Sequence, residues 1–330
     1  MAKAAGVSPK TVSRVLNEEP HVKPQVRERV KHAARALDYL PNVAARGLIT
    51  RKSYLIGLTY ERPSPSYVVE LQRGALECLE SERYRLVVLP FHDARARREE
   101  LVALLRSAAL DGVVLAPPSC DVLPVLDALD KAGVLYARIA PHLAPERGVS
   151  AAMDDVAAAR ALAEHLLALG HRRFGIILGD PTHYASEARL EGYRKALAAA
   201  GIGLGEVPIE QGDFTFPSGE AAAGRLLART PRPTAILAQN DDMAVAAIQA
   251  ARGLGLEVPG DLSVTGFDDS EVSRLVWPRL TTVRQPVFEM ARDATARLVG
   301  QLEGEEPGPP RQHPHQLIVR DSTAAPSDGG

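Results

Sequence analysis

Lys10 and Arg14 stand four residues apart, with Thr11, Ser13 and Asn17 beside them. If this stretch is helical, those side chains share one side, because a helix repeats every 3.6 residues. Long cationic side chains on such a helix reach base edges in a DNA major groove, and short hydroxyls and amides reach phosphates. The opposite side carries Val12, Val15 and Leu16 at helical spacing and reads as the buried stripe. Ser8 is a good N-cap, and Pro9 suits the first helical position, where its missing N–H costs nothing. Gly6 suits the sharp turn of a helix-turn-helix, with 1–5 as the helix before it. An ordinary surface helix with a basic face is the competing reading.

A second group of residues suits a polyhydroxylated ligand. Arg189 follows the loop after an apolar run at 174–178, and Asp268 ends another at 263–267. A guanidinium can donate two bonds and a carboxylate can accept two, which matches vicinal sugar hydroxyls. Phe214 offers an aromatic face to the apolar side of a sugar ring. Asn240 ends a further strand, Gln285 lies on a return crossing, and Tyr60 and Tyr67 stand where a facing wall would be. Arg189 as a surface ion-pair partner and the tyrosines as packing residues remain open. Arg138 is read either as a partner for a ligand carboxylate or as the partner of Asp154 or Asp155.

The elements that must position these groups follow from periodicity. After a polar loop at 18–23, Pro24 opens a long helix to about residue 38, with Val26, Val30, Ala33, Ala34 and Leu37 inward. Asn42 can cap a short helix over 43–48, where Leu48 is exposed between Arg46 and Arg51. An exposed apolar side chain flanked by arginines is what a minor-groove wedge requires, and a plain linker is the alternative. From Ser53 onward, short Val/Ile/Leu-rich strands alternate with amphipathic helices. Strands are expected at 54–60, 85–90, 112–116 and 134–139, then at 174–178, 207–210, 235–238 and 263–267. Helices are expected at 68–81, 95–108, 121–132, 156–169, 186–200, 218–229, 241–253 and 287–303, with late strands at 280–284 and 315–319. This alternation means parallel sheets with helices on both faces. Ligands in such folds sit off the carboxyl ends of the strands.

Composition narrows the function classes. The chain has 330 residues, 45% of them hydrophobic, and a formal net charge of −2, so any nucleic-acid contact must be local. The excess of lysine and arginine over acids lies between Lys3 and Lys52, where that contact is expected. Cys78 and Cys120 lack metal spacing and read as small core residues in a reducing compartment. His165, His171 and His183 also lack metal spacing and read as solvated or capping residues. No Ser-His-Asp ordering, metal cluster or phosphate-cradling glycine loop is apparent, so no enzyme, metal or cofactor is expected. With neither a signal-peptide core nor a membrane span, a cytoplasmic protein is expected.

Several motifs, in order, resemble the lac repressor–type (LacI/GalR) bacterial transcription factors. They are AGVSPKTVSRVLN at 5–17, LDYLPNVAARGL at 37–48, HLLALGHRRFGII at 165–177, ARLEGYRKAL at 188–197, NDDMAVAAI at 240–248 and SVTGFDDSEVSRLVWPRLTTVRQP at 263–286. The resemblance implies an all-α helix-turn-helix headpiece at 1–40 with an incomplete first helix, then a hinge helix and linker at 41–52. It further implies two doubly wound lobes similar to periplasmic sugar-binding proteins, at 53–153 plus 286–309 and at 154–285 plus 310–323, and a flexible tail at 324–330. It places Pro9, Lys10 and Arg14 where relatives read operator bases, and Thr11, Ser13 and Asn17 at phosphate-contacting or supporting positions. Leu48 falls at the minor-groove wedge. Tyr60, Tyr67, Arg189, Phe214, Asn240, Asp268 and Gln285 fall on the effector pocket, with Asp268 favoured over Asp269. The implied function is a homodimeric repressor of sugar metabolism genes, with operator DNA and a small carbohydrate as partners. A free-standing sugar-binding protein of the same core fold is the alternative.

Overall fold

The computed structural model describes residues 1–16, 20–37, 52–61 and 64–327, which form two compact units, Met1–Tyr54 and Leu55–Gly330. Asn17, Leu48 and the expected hinge helix lie outside the described residues.

In the first unit, α1 (Ala2–Ala5) ends at Gly6, whose φ of 61° is the left-handed conformation a tight turn needs. Helix α2 (Pro9–Leu16) starts where Ser8 Oγ accepts the Thr11 N–H at 3.1 Å. Helix α3 (Pro24–Ala36) closes over both. Ala5, Val12, Val15, Val30 and Ala33 form the buried centre of this small core; Leu37, expected inward, is instead exposed, because the helix ends at Ala36. Pro9, Lys10 and Arg14 are exposed, and Thr11 and Ser13 are half-buried.

The second unit begins with β1 (Leu55–Glu61), α4 (Pro65–Leu79), β2 (Arg85–Phe91), α5 (Arg98–Ser107), β3 (Gly112–Leu115), α6 (Leu123–Ala132), β4 (Leu135–Ile139) and β5 (Val149–Ala152). Then follow α7 (Asp155–Ala168), β6 (Phe174–Leu178), α8 (Tyr184–Ala199), β7 (Ile209–Gln211), α9 (Phe216–Leu227), β8 (Ala235–Ala238), α10 (Asp241–Gly253) and β9 (Ser263–Thr265). It ends with α11 (Glu271–Leu275), β10 (Thr282–Arg284), α12 (Val287–Leu302), β11 (Arg311–Gln312) and β12 (Gln316–Ile318).

Six strands pair in the order β11-β5-β4-β3-β1-β2, and four in the order β7-β6-β8-β9, all parallel. Val113, Leu115 and Tyr136 bury against α5 and α6, while Ile236, Ala238 and Val264 bury against α9 and α10. Helix α12 returns to the first sheet and packs on α4 at Gly74, where an added Cβ would lie 2.2 Å from the Phe288 carbonyl oxygen. The fold class expected from the alternation of strands and helices is the one observed.

Four details differ from expectation. The short elements β5 and α11 were not expected; four and five residues are too few to carry a periodic signal. Residues 310–323 were assigned to the second lobe, but Arg311 and Gln312 pair with Ala151 and Ala152 in the first sheet. Only after them does the chain reach β12, which runs antiparallel to β10. The tail expected to be flexible from residue 324 is instead held at its start. The Ala324 N–H donates to Ser263 Oγ at 3.0 Å, and its carbonyl accepts from Ser263 Oγ at 3.1 Å. His171, expected to be solvated or capping, is buried and bonds Thr234, Ser263 and the same Ala324 carbonyl. Its ring ties the chain end to β9.

Candidate ligand cleft and nucleic-acid interface

The carboxyl ends of both sheets open onto one cavity of about 60 Å³. Ser64, Tyr67, Pro117 and Ala140 wall it from the six-stranded side, and His183, Arg189, Phe214, Asn240 and Asp268 from the other. Gln285 enters from the crossing between them, and Asp155 from the first turn of α7. Six of the seven residues expected at an effector pocket thus meet around one space.

Arg189 is buried on α8. Its Nε donates to Asp155 Oδ1 at 2.9 Å and its Nη1 to the Gln239 carbonyl at 2.7 Å. The guanidinium carbon lies 3.8 Å from the centroid of the Phe267 ring, in cation–π contact. Asp155 is the first residue of its helix, where the helix dipole favours negative charge. Arg189 is therefore an ion-pair partner, but a buried one whose pair faces the cavity.

Asp268 and Asp269 follow β9 with φ of 129° and 57°, a costly turn for residues with a Cβ. The turn sends the two carboxylates apart. Asp268 lines the cavity, where Gln285 Nε2 donates to its Oδ1 at 2.5 Å. Burial raises its carboxyl to about 7, against the lowering pull of Arg189 and of the Gln285 bond. Asp269 instead takes Arg320, Arg284 and Arg274 as partners, and its carboxyl sits below the ordinary value although burial opposes this.

Phe214 has a φ of 68° and covers Gly179, where an added Cβ would fall 2.0 Å from the ring. His183 meets the Phe214 ring edge-on at 5.4 Å, and burial lowers its imidazole to about 4, so it is neutral near pH 7. Asn240 departs from its expected role. Its Oδ1 caps α10 by accepting the Met243 N–H at 3.0 Å, and its Nδ2 donates to the Phe214 carbonyl at 2.8 Å. It touches the cavity, but its amide is spent on holding Phe214.

Tyr67 lines the cavity, and burial pushes its phenol up. Tyr60 is not among the lining residues. Strand alternation turns it to the sheet face opposite Thr59 and Glu61, and Glu61 lines a second hollow at the cleft mouth. Arg138 pairs with neither Asp154 nor Asp155. It is fully buried, 3.0 Å from Asp121 Oδ1, and donates to the carbonyls of Cys120, Leu143, Ala144 and Arg147. Sequence reasoning missed Asp155, His183 and Glu61. Asp155 carried a usable signal, as an acid in the first turn of an amphipathic helix after a strand.

These features define a two-sheet ligand-cleft body carried on one chain with a helix-turn-helix. Residues 1–42 match the family model described as bacterial regulatory proteins, lacI family, and residues 163–323 match that of a periplasmic binding protein-like domain. The chain is 38% identical over 331 residues to the HTH-type transcriptional regulator CelR of Thermobifida fusca, covering 98% of this chain and 96% of that one. It is 33% identical to the HTH-type transcriptional regulator DegA of Bacillus subtilis, covering 98% and 97%. Among solved structures it is similar to the lac repressor dimer bound to operator and an anti-inducer, with TM-score 0.86, 27% identity and 98% of each chain covered. It is also similar to a CelR–cellobiose complex, with TM-score 0.74, 34% identity and 97% and 98% covered. The chain belongs to the LacI family of bacterial regulatory proteins, and the relatives it matches are transcriptional regulators rather than enzymes. Among the described residues no helix is long and apolar enough to cross a membrane.

Proposed function

We propose that this protein is a transcriptional repressor of sugar metabolism genes that acts in the cytoplasm as a homodimer and is controlled by a small carbohydrate bound in the cleft. The observation that carries this reading is the convergence of Arg189, Asp268, Gln285 and Phe214 on one cavity at the carboxyl ends of both sheets. Asp155 already balances the Arg189 charge, and Asp268 adds a carboxylate, so the site has no cation to spare for an anion. It suits a neutral ring bearing hydroxyls: donors and acceptors lie around it, and an aromatic face stands on one side. The CelR relative solved with cellobiose points the same way. Two copies of α2 would read two operator half-sites, and sugar would shift the population of conformers able to grip DNA. Coupling between such sites is on the order of 1–3 kcal/mol.

The test begins with a duplex selected from a random library by the full chain. Lys10→Ala and Arg14→Ala should each cost about 1–3 kcal/mol of discrimination between this duplex and a scrambled one, read by fluorescence anisotropy at fixed salt. Selection of no preferred sequence, or variants that discriminate as the parent does, would overturn the DNA-reading role.

Asp268 adds a pH signature. The ionised form accepts stronger, charge-assisted bonds from hydroxyls than the protonated one, so sugar affinity should climb as pH rises from about 5 to 7, by at most about tenfold per unit, and level off above about 8. Stability without ligand should run the other way. A carboxyl raised above its unfolded value holds its proton more tightly in the folded state, so the stability it contributes is lost as pH rises between about 4 and 7. Asp268→Asn should flatten both profiles in calorimetry and thermal melts. Parallel profiles for parent and variant would remove Asp268 from the site.

A further inference from the structure

Glu61 ends β1 and is 8% exposed. Its Oε2 accepts the Ala94 N–H at 3.1 Å, while Oε1 has no hydrogen-bond partner among the described residues. A buried carboxyl oxygen without a partner is unfavourable, and a ligand hydroxyl in the hollow would supply one. The hollow that Glu61 lines is about 430 Å³, larger than the cavity of about 60 Å³ beside it, and shares His183 and Phe214 with that cavity. A single ring seated against Arg189 therefore leaves the larger space unfilled.

From the opposite sheet, Asp180 and Asp213 border the hollow, each with Oδ1 accepting from a threonine two residues on. Asp93 and Arg95 border it on the Glu61 side. His183 adds no charge near pH 7, since burial lowers its imidazole to about 4. Acids outnumber formal cations here, which disfavours a phosphate or carboxylate. Burial raises the Glu61 carboxyl above its ordinary value, although the Ala94 and Asp93 amides oppose this. A hydroxyl suits either protonation state, because it both donates and accepts.

We propose that this hollow is a second sugar subsite, so that the effector is a neutral oligosaccharide of at least two units. One ring sits against Arg189 and Asp268, and the next passes Phe214 and gives a hydroxyl to Glu61 Oε1. The inference rests on the reading of the cleft as a sugar site.

The test is isothermal titration of the full chain with glucose, galactose, cellobiose, maltose, lactose and glucose 6-phosphate. At least one disaccharide should bind about tenfold or more tighter than its constituent monosaccharides, and glucose 6-phosphate should bind no better than glucose. Glu61→Ala should bring that disaccharide down to monosaccharide affinity and leave monosaccharide binding within about twofold, while Glu61→Gln keeps part of the preference. Unchanged monosaccharide affinity also shows that the variants are folded. The proposal is overturned if monosaccharides bind as tightly as every disaccharide, if Glu61→Ala weakens both lengths equally, or if the phosphate binds best. If the chain binds its selected operator but no sugar of either length, the sugar reading of the cleft falls, and this subsite with it.

Discussion

Arg189→Ala is expected to abolish the response to sugar while leaving operator binding within about twofold of the parent. The side chain holds the cavity together from three directions: Asp155 at 2.9 Å, the Gln239 carbonyl at 2.7 Å and the Phe267 ring at 3.8 Å. Charge-assisted bonds to a ligand are worth about 1.5–3 kcal/mol each, so losing one or two costs on the order of a hundredfold in sugar affinity. Removing the cation also strands the buried Asp155 carboxylate, whose other ion-pair neighbour among the described residues is His142 Nε2 at 3.8 Å, a cation only when protonated. Part of the effect will therefore appear as lower stability of the 55–330 unit, and melting curves must accompany the titrations. Arg189→Gln separates the two effects, since an amide can still donate to Asp155 but cannot reproduce a charged fork. The reading bodies should be spared because residues 1–54 form a compact unit with its own buried centre of Ala5, Val12, Val15, Val30 and Ala33. A variant released from its operator at the same sugar concentration as the parent would take Arg189 out of the effector site.

Where the sequence was informative, local chemistry agreed with the global fold. Ser8 and Pro9 start a helix because a cap and a fixed φ act on the chain wherever it lies. The Val/Ile/Leu runs become parallel strands because both of their faces must be buried. The same logic set Asp268 at the rim, since strand ends in such sheets share an edge, while Arg189 reaches it from α8 and Gln285 from the end of β10. The misreadings have equally local causes. Tyr60 and Glu61 differ by one step of the pleat, and an aromatic residue drew attention that the pleat gives to its acidic neighbour. Asn240 precedes a helix, and the cap used the amide that a ligand would need. Ala324 lies near the chain end, yet Ser263 and His171 hold it, and neither bond leaves a periodic trace in the sequence.

Arg138 shows the limit of that reading, and its replacement should have the largest effect on stability. It lies in the middle of an otherwise apolar strand, fully buried, and nothing within the strand indicates where a guanidinium would find partners. They come from elsewhere in the chain. Cys120 and Asp121 lie in the turn before α6, and Leu143, Ala144 and Arg147 in the loop after β4. Asp121 completes the knot, because its Oδ1 also accepts the His142 and Leu143 N–H groups at 2.9 Å each. Arg138→Met keeps much of the volume but takes the guanidinium away from the buried Asp121 carboxylate and from several carbonyls. The expected cost is about 3–5 kcal/mol, a fall in Tm on the order of 10 °C. Adding Asp121→Leu should not restore the loss. A buried pair replaced by apolar residues often breaks even, but here most of the bonds run to backbone groups that remain unpaired in the double variant. The loop in question carries Ala140, which walls the cavity, so sugar affinity should fall along with Tm. If the double variant melts like the parent, the cost of Arg138→Met comes from the unpaired Asp121 carboxylate rather than from the lost backbone bonds. If Arg138→Met alone melts within 2 °C of the parent, a threshold set well below the roughly 10 °C expected, the corner is not a load point of the fold.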